Sequence, residues 1–124
     1  MMRIARHSTD INVLEQITAA GLPVRERQPD DYAGYAVLKP WGYEFQIFNT
    51  DRCSIWAACL RPGQSVSMHC HRTKQASFLP LGGDVDLKTL RFAVHLDRMI
   101  TVDAGVFHSQ ENIGKTDAFF LEYE

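Results

Sequence analysis

The stretch Gly63-Gln64-Ser65-Val66-Ser67-Met68-His69-Cys70-His71, followed by Gln75 and Gly82, decides how the rest of the chain is interpreted. In an extended strand, residues two apart point to the same side. His69 and His71 therefore place two imidazoles side by side. Neighbouring imidazoles on one face can share a metal ion. The stretch predicts a metal site carried on a β-strand.

The neighbouring cysteine and the other histidines can be compared with the His69–His71 pair. Cys70 lies between the two histidines, and strand alternation turns it away from them, so it is a poor candidate ligand. His108 follows the turn Asp103-Ala104-Gly105 far along the chain. Closure of a barrel can bring such a distant strand across from the first pair. His7 and His95 have no partner in this arrangement and are interpreted as surface or loop residues.

The first part of the chain has helical spacing. Either Thr9 or Asp10 is expected to be the N-cap. Gly21, followed by Pro23, is expected to end the helix. The charged stretch Val24–Gly34 is expected to be a connecting loop. The apolar positions that recur with this spacing are Ile11, Leu14, Ile17 and Ala20.

From Tyr35 onward, short β-rich runs alternate with turn residues such as Gly82-Gly83. Several short strands at such spacing are typical of a sandwich or a barrel. We therefore predict an all-β fold in a single domain, with residues 1–34 as an N-terminal helix and connecting loop and residues 35–124 as the barrel. The predicted runs are Tyr43–Phe48, Ser54–Leu60, Val66–His71, Ala76–Leu81, Val85–Leu90, Phe92–Leu96, Met99–Val102 and Ala118–Tyr123.

Composition and charge exclude several classes of function. The net charge of −2 argues against a nucleic-acid-binding surface, which would be clearly basic. No apolar run approaches the roughly 20 residues needed to cross a bilayer, so no membrane association is expected. The N-terminus is polar and lacks a signal-peptide core. Cys53, Cys59 and Cys70 are an odd number without a disulfide spacing, which favours reduced thiols and the cytoplasm.

The histidine-rich stretch resembles the first cupin motif. That motif reads glycine, five residues, His-X-His, three or four residues, glutamate, six residues, glycine. The chain has Gly63, five residues, the His69–His71 pair, three residues, Gln75, six residues and Gly82. Every spacing fits, and only the acidic ligand is changed, to glutamine.

A second resemblance lies around His108. The second cupin motif reads glycine, five residues, Pro-X-Gly, two residues, histidine, three residues, asparagine. Gly105, His108 and Asn112 match it, while Asp97 and Asp103 replace its glycine and proline. The two motifs together span residues 63–112. The resemblance implies a double-stranded β-helix, a jelly-roll barrel with a short N-terminal helix.

The resemblance also implies the ligand set of one divalent transition metal, either zinc, nickel, iron or manganese. His69, His71 and His108 match the family's histidine ligands, and Gln75 occupies the position of its glutamate. Glutamine can bind through its amide oxygen but brings no charge. A hydrogen bond from Gln75 to a histidine is the alternative. Four neutral ligands would favour an additional anionic ligand.

A third stretch, Lys39-Pro40-Trp41-Gly42-Tyr43-Glu44, resembles an element of mannose-6-phosphate isomerase-like cupins, among which are proteins of polysaccharide biosynthesis. The resemblance implies a carbohydrate or sugar-phosphate ligand, an isomerase or epimerase, and a homodimer. Trp41 is expected to pack on the barrel. Lys39 is either a phosphate contact or merely solvated.

Two other functions stay open at this stage. The chain can be a non-catalytic module that binds a sugar or another small molecule, or a non-haem iron dioxygenase. The fold alone does not decide between them, because one fold hosts many functions. No residue is assigned as the general base; Glu44, Lys74 and Glu122 are candidates by residue type only.

Overall fold

The computed structural model describes residues 1–21 and 36–124. The predicted loop Val24–Gly34, the expected proline after the helix and the proposed boundary between positions 34 and 35 lie outside these residues. The described residues form one helix, α1 (Ser8–Ala19), and none of their helices is long and apolar enough to cross a membrane. Their strands are β1 (Met2–Ile4), β2 (Ala36–Lys39), β3 (Gly42–Asn49), β4 (Ser54–Leu60), β5 (Ala76–Gly82), β6 (Val85–Thr89), β7 (Ala93–His95), β8 (Ile100–Val102), β9 (His108–Asn112) and β10 (Ala118–Tyr123).

The strands form two sheets. The larger sheet has the order β1-β8-β5-β10-β4-β3-β2, and the smaller has the order β7-β6-β9. The β1–β8 pair is parallel, and the other pairs are antiparallel. Because β10 lies between β4 and β5, the end of the chain is brought into the middle of the larger sheet. Apolar side chains from both sheets share one core, which includes Leu60, Phe78, Leu87, Ile100 and Phe120.

The all-β prediction is confirmed. Two predicted runs coincide with β4 and β10, and Trp56, Ala58 and Leu60 of β4 are buried on one face as strand alternation requires. Three strands, β1, β2 and β9, were not predicted as strands. β9 reads His-Ser-Gln-Glu-Asn, so its polar composition conceals a strand that is almost wholly buried. β1 has three residues and depends on its distant partner β8.

The start of the helix differs from the prediction, because the N-cap is His7 and not Thr9 or Asp10. His7 Nδ1 accepts a hydrogen bond from the Thr9 N–H at 3.1 Å, and Asp10 Oδ2 accepts one from the His7 N–H at 3.0 Å. The second oxygen of Asp10 accepts from the Phe107 N–H at 3.0 Å. Asp10 therefore ties the helix to the segment before β9. The helix ends near Gly21, which has a φ of +70°, as expected.

Candidate metal centre

The His69–His71 pair and His108, which is distant from it in sequence, come together in the fold. The ligand nitrogens of His69, His71 and His108 lie within 4.8 Å of one another. The ring centroids are 4.5 Å apart for His69 and His108, 5.1 Å for His69 and His71, and 5.4 Å for His71 and His108. The structure thus brings His108 to the pair, as barrel closure predicts.

The segment that carries the first two histidines is not the regular strand that was predicted over Val66–His71. It runs antiparallel to β9 through two isolated bridges, Ser65 to Glu111 and His69 to His108. The segment takes four residue steps between these bridges while β9 takes three. One extra residue on one side is the signature of a β-bulge, and a bulge re-aims the side chains beside it. Two backbone hydrogen bonds, of 3.0 and 2.8 Å, hold His69 opposite His108.

The turn at Gly105 holds the backbone of His71 in place. The His71 carbonyl accepts a hydrogen bond of 2.7 Å from the Gly105 N–H. Gly105 has a φ of +83°, and a Cβ atom there would lie 2.8 Å from Cδ of Arg6. A side chain would therefore be strained and crowded at this position. The turn links the two motif segments directly.

Backbone carbonyls fix the orientation of two imidazoles. His69 Nδ1 lies 2.7 Å from the Ser67 carbonyl oxygen, and His108 Nδ1 lies 2.9 Å from the Val106 carbonyl oxygen. A carbonyl oxygen can only accept, so each Nδ1 carries the proton and each Nε2 keeps its lone pair. Histidine ligands of metals are commonly oriented in this way.

His108 is kept neutral by its surroundings. It is 1% exposed, and burial, together with the nearby His69, lowers its pKa to about 3. Its Nε2 is buried without a hydrogen-bond partner in the part of the chain that the structure describes. A buried ring nitrogen with an unused lone pair is costly unless it binds something. The histidine set therefore fits a divalent metal.

Two buried carboxylates stand beside this group. Glu124 Oε1 lies 3.3 Å from His71 Nε2, and Glu122 Oε2 lies 3.9 Å from it. These three residues form a second set able to hold a metal ion, and the two sets share His71. Glu122 was named only by residue type, and Glu124 was missed. The available signal was strand alternation. Glu122 is on the core-facing side of the predicted strand Ala118–Tyr123, and Glu124 is the next residue on that side.

Gln75 contacts a residue outside the histidine group. It is solvent-exposed, and its Nε2 donates to Asp103 Oδ1 at 3.5 Å. Asp103 Oδ1 also accepts from Nε of Arg3 at 2.7 Å. The inclusion of Gln75 in the ligand set stays a prediction.

The remaining candidates are placed elsewhere. Glu44 is buried, and its carboxylate lies 3.8 Å from Nζ of Lys39. Trp41 packs in the core, as expected. Cys70 belongs to neither metal-capable set among the described residues. His95 is half-exposed and pairs with Asp86 at 3.1 Å.

Two buried carboxamides were not anticipated. Gln110 follows His108 by two residues on the same face of β9 and is 1% exposed. Its Nε2 and that of Gln46 in β3 are buried with no hydrogen-bond partner in the described parts of the chain. Two such donors are suited to the oxygen atoms of a ligand.

Neither a protein-family profile nor a curated protein sequence matches the chain. Solved structures do match it. The capsular polysaccharide assembling protein CapF from Staphylococcus aureus has a TM-score of 0.66 at 20% identity, over 72% of this chain and 29% of CapF. The Cnp3 cupin domain of Schizosaccharomyces pombe has a TM-score of 0.60 at 18% identity, over 65% of this chain and 61% of that chain.

A third match is an uncharacterised conserved protein with a double-stranded β-helix domain from Klebsiella pneumoniae. It has a TM-score of 0.61 at 18% identity, over 82% of this chain and 89% of that chain. This chain spans less than a third of CapF, so that comparison concerns one part of a larger protein. Identities this low bear on the fold alone. The chain therefore has the double-stranded β-helix fold of the cupins.

Proposed function

We propose that this protein is a metal-dependent enzyme that isomerises or epimerises a carbohydrate or a sugar phosphate. The observation that carries the proposal is a buried carboxylate, Glu122, beside the three-histidine group. A divalent transition metal held by His69, His71 and His108 would polarise a carbonyl or hydroxyl oxygen of the sugar. Isomerisation and epimerisation also need a group that moves a proton to and from carbon.

Glu122 is the candidate base that lies at the histidines. Its side chain is 6% exposed, and its Oε2 is 3.9 Å from His71 Nε2. Glu44, the other carboxylate candidate, is close to Lys39 instead. We therefore assign proton transfer to Glu122. Its carboxylate can take a proton from one carbon and return it to the adjacent carbon, which is isomerisation; epimerisation requires that the intermediate first turn its opposite face to the carboxylate.

Two sets of polar groups suit an oxygen-rich ligand. The buried amides of Gln46 and Gln110 offer N–H donors to hydroxyl or carbonyl oxygens. Arg6 and Arg72, together with Glu15, line a groove of about 460 Å³ between α1 and the Gly105 turn, and none of the three histidines lines it. Guanidinium groups suit a phosphate.

One comparison supports a small-molecule ligand. CapF is described as a capsular polysaccharide assembling protein, and a CapF structure with the inhibitor 3-isopropenyl-tropolone matches this chain with a TM-score of 0.63. That complex is a precedent for a protein of this fold that binds a small molecule. The carbohydrate itself is our proposal for this chain.

We further propose a homodimer in the cytoplasm. Phe45, Ala57, Leu121 and Leu79 form one row across β3, β4, β10 and β5 on the outer face of the larger sheet. Phe45 is 40% exposed and Leu79 41% exposed, and a row of this kind is suited to a second copy. The free thiol of Cys53 agrees with a reducing compartment.

Metal content is the first test. About one metal per chain in the wild type, lost in His69→Ala and kept in His95→Ala, is the expected result. His95 is the matched control because it is half-exposed and lies outside the site. No metal in the wild type would contradict the proposal.

Hydrogen exchange at carbon then tests the reaction. The metal-loaded protein is incubated with a panel of sugars and sugar phosphates in D₂O, and deuterium incorporation next to the carbonyl is followed by NMR. We expect exchange with the wild type and its loss in Glu122→Gln. Ligand binding without exchange would favour a binding module. Iron content with substrate-dependent oxygen uptake would favour a dioxygenase.

A further inference from the structure

We propose that Glu124 is a ligand of the metal and supplies the anionic ligand that Gln75 cannot. The inference rests on the metal binding proposed above. It assigns the charge at the site to the residue that follows β10 instead of to the segment that carries His69 and His71.

The first support is a distance. Donor atoms bound to zinc lie about 2.0–2.2 Å from the ion, so two adjacent donors in a tetrahedral site are roughly 3.3–3.6 Å apart. Glu124 Oε1 and His71 Nε2 are 3.3 Å apart, which is the separation of adjacent ligands. Glu122 Oε2, at 3.9 Å from the same nitrogen, lies beyond that separation.

The second support is the way in which the carboxylate is held. Ser54 Oγ donates to Glu124 Oε2 at 3.5 Å, and Trp56 Nε1 donates to Ser54 Oγ at 3.1 Å. Backbone hydrogen bonds of 3.0 and 2.8 Å also join Ser54 and Glu124. One carboxylate oxygen is thereby kept toward Ser54 while the other faces His71. Hydrogen bonds behind a ligand orient it in this manner in metal sites.

The third support is charge. The imidazoles of His69, His71 and His108 are neutral when they bind a metal, and an amide at position 75 is neutral too. The Glu124 side chain is 3% exposed, so its negative charge is stable only where a positive charge or several donors face it. His108 Nε2 points to the same conclusion, since it is buried without a hydrogen-bond partner in the described residues. A divalent ion would give His108 Nε2 a partner and add a positive charge beside the Glu124 carboxylate, which already faces His71.

The Glu124 side chain must move for its carboxylate to bind an ion that the three histidines hold. The three histidine nitrogens form one compact set, and His71 with the two glutamates forms another. His71 is the shared member. A glutamate side chain has three rotatable bonds, so its carboxylate can close on an ion held by the histidines while its backbone stays paired with Ser54.

Cobalt binding tests the assignment. Co²⁺ alone is titrated into the metal-free wild type, Glu124→Gln and Glu122→Gln, and both affinity and visible absorption are recorded. Loss of a ligand changes the ligand field, whereas loss of a neighbouring charge does not remove a bond. We expect Glu124→Gln to weaken Co²⁺ binding about ten-fold or more and to alter the spectrum. Glu122→Gln, the matched control two residues earlier in β10, should keep the wild-type spectrum.

The outcomes separate the inference from the proposed function. If the wild type does not bind Co²⁺, the metal-binding function itself is wrong and the inference falls with it. If the wild type binds Co²⁺ and Glu124→Gln has the same spectrum, Glu124 is not a ligand although the histidine site stands. Circular dichroism of the metal-free variants verifies folding. Glu124→Asp, which keeps the charge but shortens the side chain, replaces Glu124→Gln if the latter does not fold, with the same expected change of spectrum.

Discussion

The side-chain amide of Gln75 contacts the carboxylate of Asp103, with Nε2 lying 3.5 Å from Oδ1. Both residues replace a residue of the cupin motifs, a glutamate at position 75 and a proline at position 103. A glutamate at position 75 would place two carboxylates side by side and raise the cost of ionising both. The amide donates a hydrogen bond instead. The two departures from the motifs are therefore mutually compatible.

The first prediction concerns the effect of residue 75 on metal affinity. Gln75→Glu should tighten metal binding, because it restores a charged group at the position of the motif's acidic ligand. Asp103 opposes the gain, so the double variant Gln75→Glu/Asp103→Asn should bind about ten-fold more tightly than the wild type, or ~1.4 kcal/mol. Competition titration with a chelating dye measures both. Unchanged affinity in both variants would place Gln75 outside the ligand set.

The second prediction concerns the metal-free protein at acidic pH. Burial lowers the pKa of His108 from 6.5 to about 3. Below pH 6.5, the unfolded chain takes up a proton that the folded chain refuses. The free energy of unfolding should therefore fall as the pH falls from 6.5 toward 3, by about 1.4 kcal/mol for each pH unit from this group. Above pH 6.5 the group has no effect.

Urea unfolding of chelator-treated protein between pH 7 and pH 4 checks this slope. Other groups titrate in the same range, so the informative quantity is the difference between the wild type and His108→Gln. His95→Gln, at a half-exposed position, serves as the control and should follow the wild type. A wild-type slope that His108→Gln leaves unchanged would contradict the prediction.

The third prediction concerns the buried amide of Gln110. Its Nε2 has no hydrogen-bond partner in the described parts of the chain, and Leu87 lies opposite it on β6. An unsatisfied buried donor costs about 1–3 kcal/mol. Gln110→Met, of similar volume, should therefore raise the free energy of unfolding by roughly 1 kcal/mol while leaving metal content unchanged. Thermal and urea unfolding measure it, and a loss of stability would mean that the amide is satisfied, for example by water.

The fourth prediction concerns the outer face of the larger sheet. Leu79→Glu places a charge in the apolar row and should convert the proposed dimer to a monomer, because a buried unpaired carboxylate is costly. Ile113→Glu is the control, since Ile113 is 51% exposed in the turn after β9. Light scattering coupled to size-exclusion chromatography reports the mass. A wild-type monomer, or a dimeric Leu79→Glu, would show that this face is not the interface.

Several elements follow from local pattern, because their signal is contained in a few adjacent residues. The alternation of Ser54–Leu60 and of Ala118–Tyr123 predicts β4 and β10 with their bounds. Other elements depend on distant partners. Met2–Ile4 becomes a strand only through its pairing with β8, and His7 caps the helix while Asp10 is also held by Phe107. No local rule contains these contacts.

The candidate site likewise contains residues that local spacing predicts and residues that only distant strand pairing brings in. Spacing alone indicates the imidazole pair and the matching position of His108, because a motif is a set of distances along the chain. That spacing does not contain the carboxylates. Glu122 and Glu124 reach His71 because β10 pairs between β4 and β5, and strand pairing is decided by burial of the whole sheet. The chain order indicates the three histidines as candidate ligands, and only the folded barrel brings the negative charge to them.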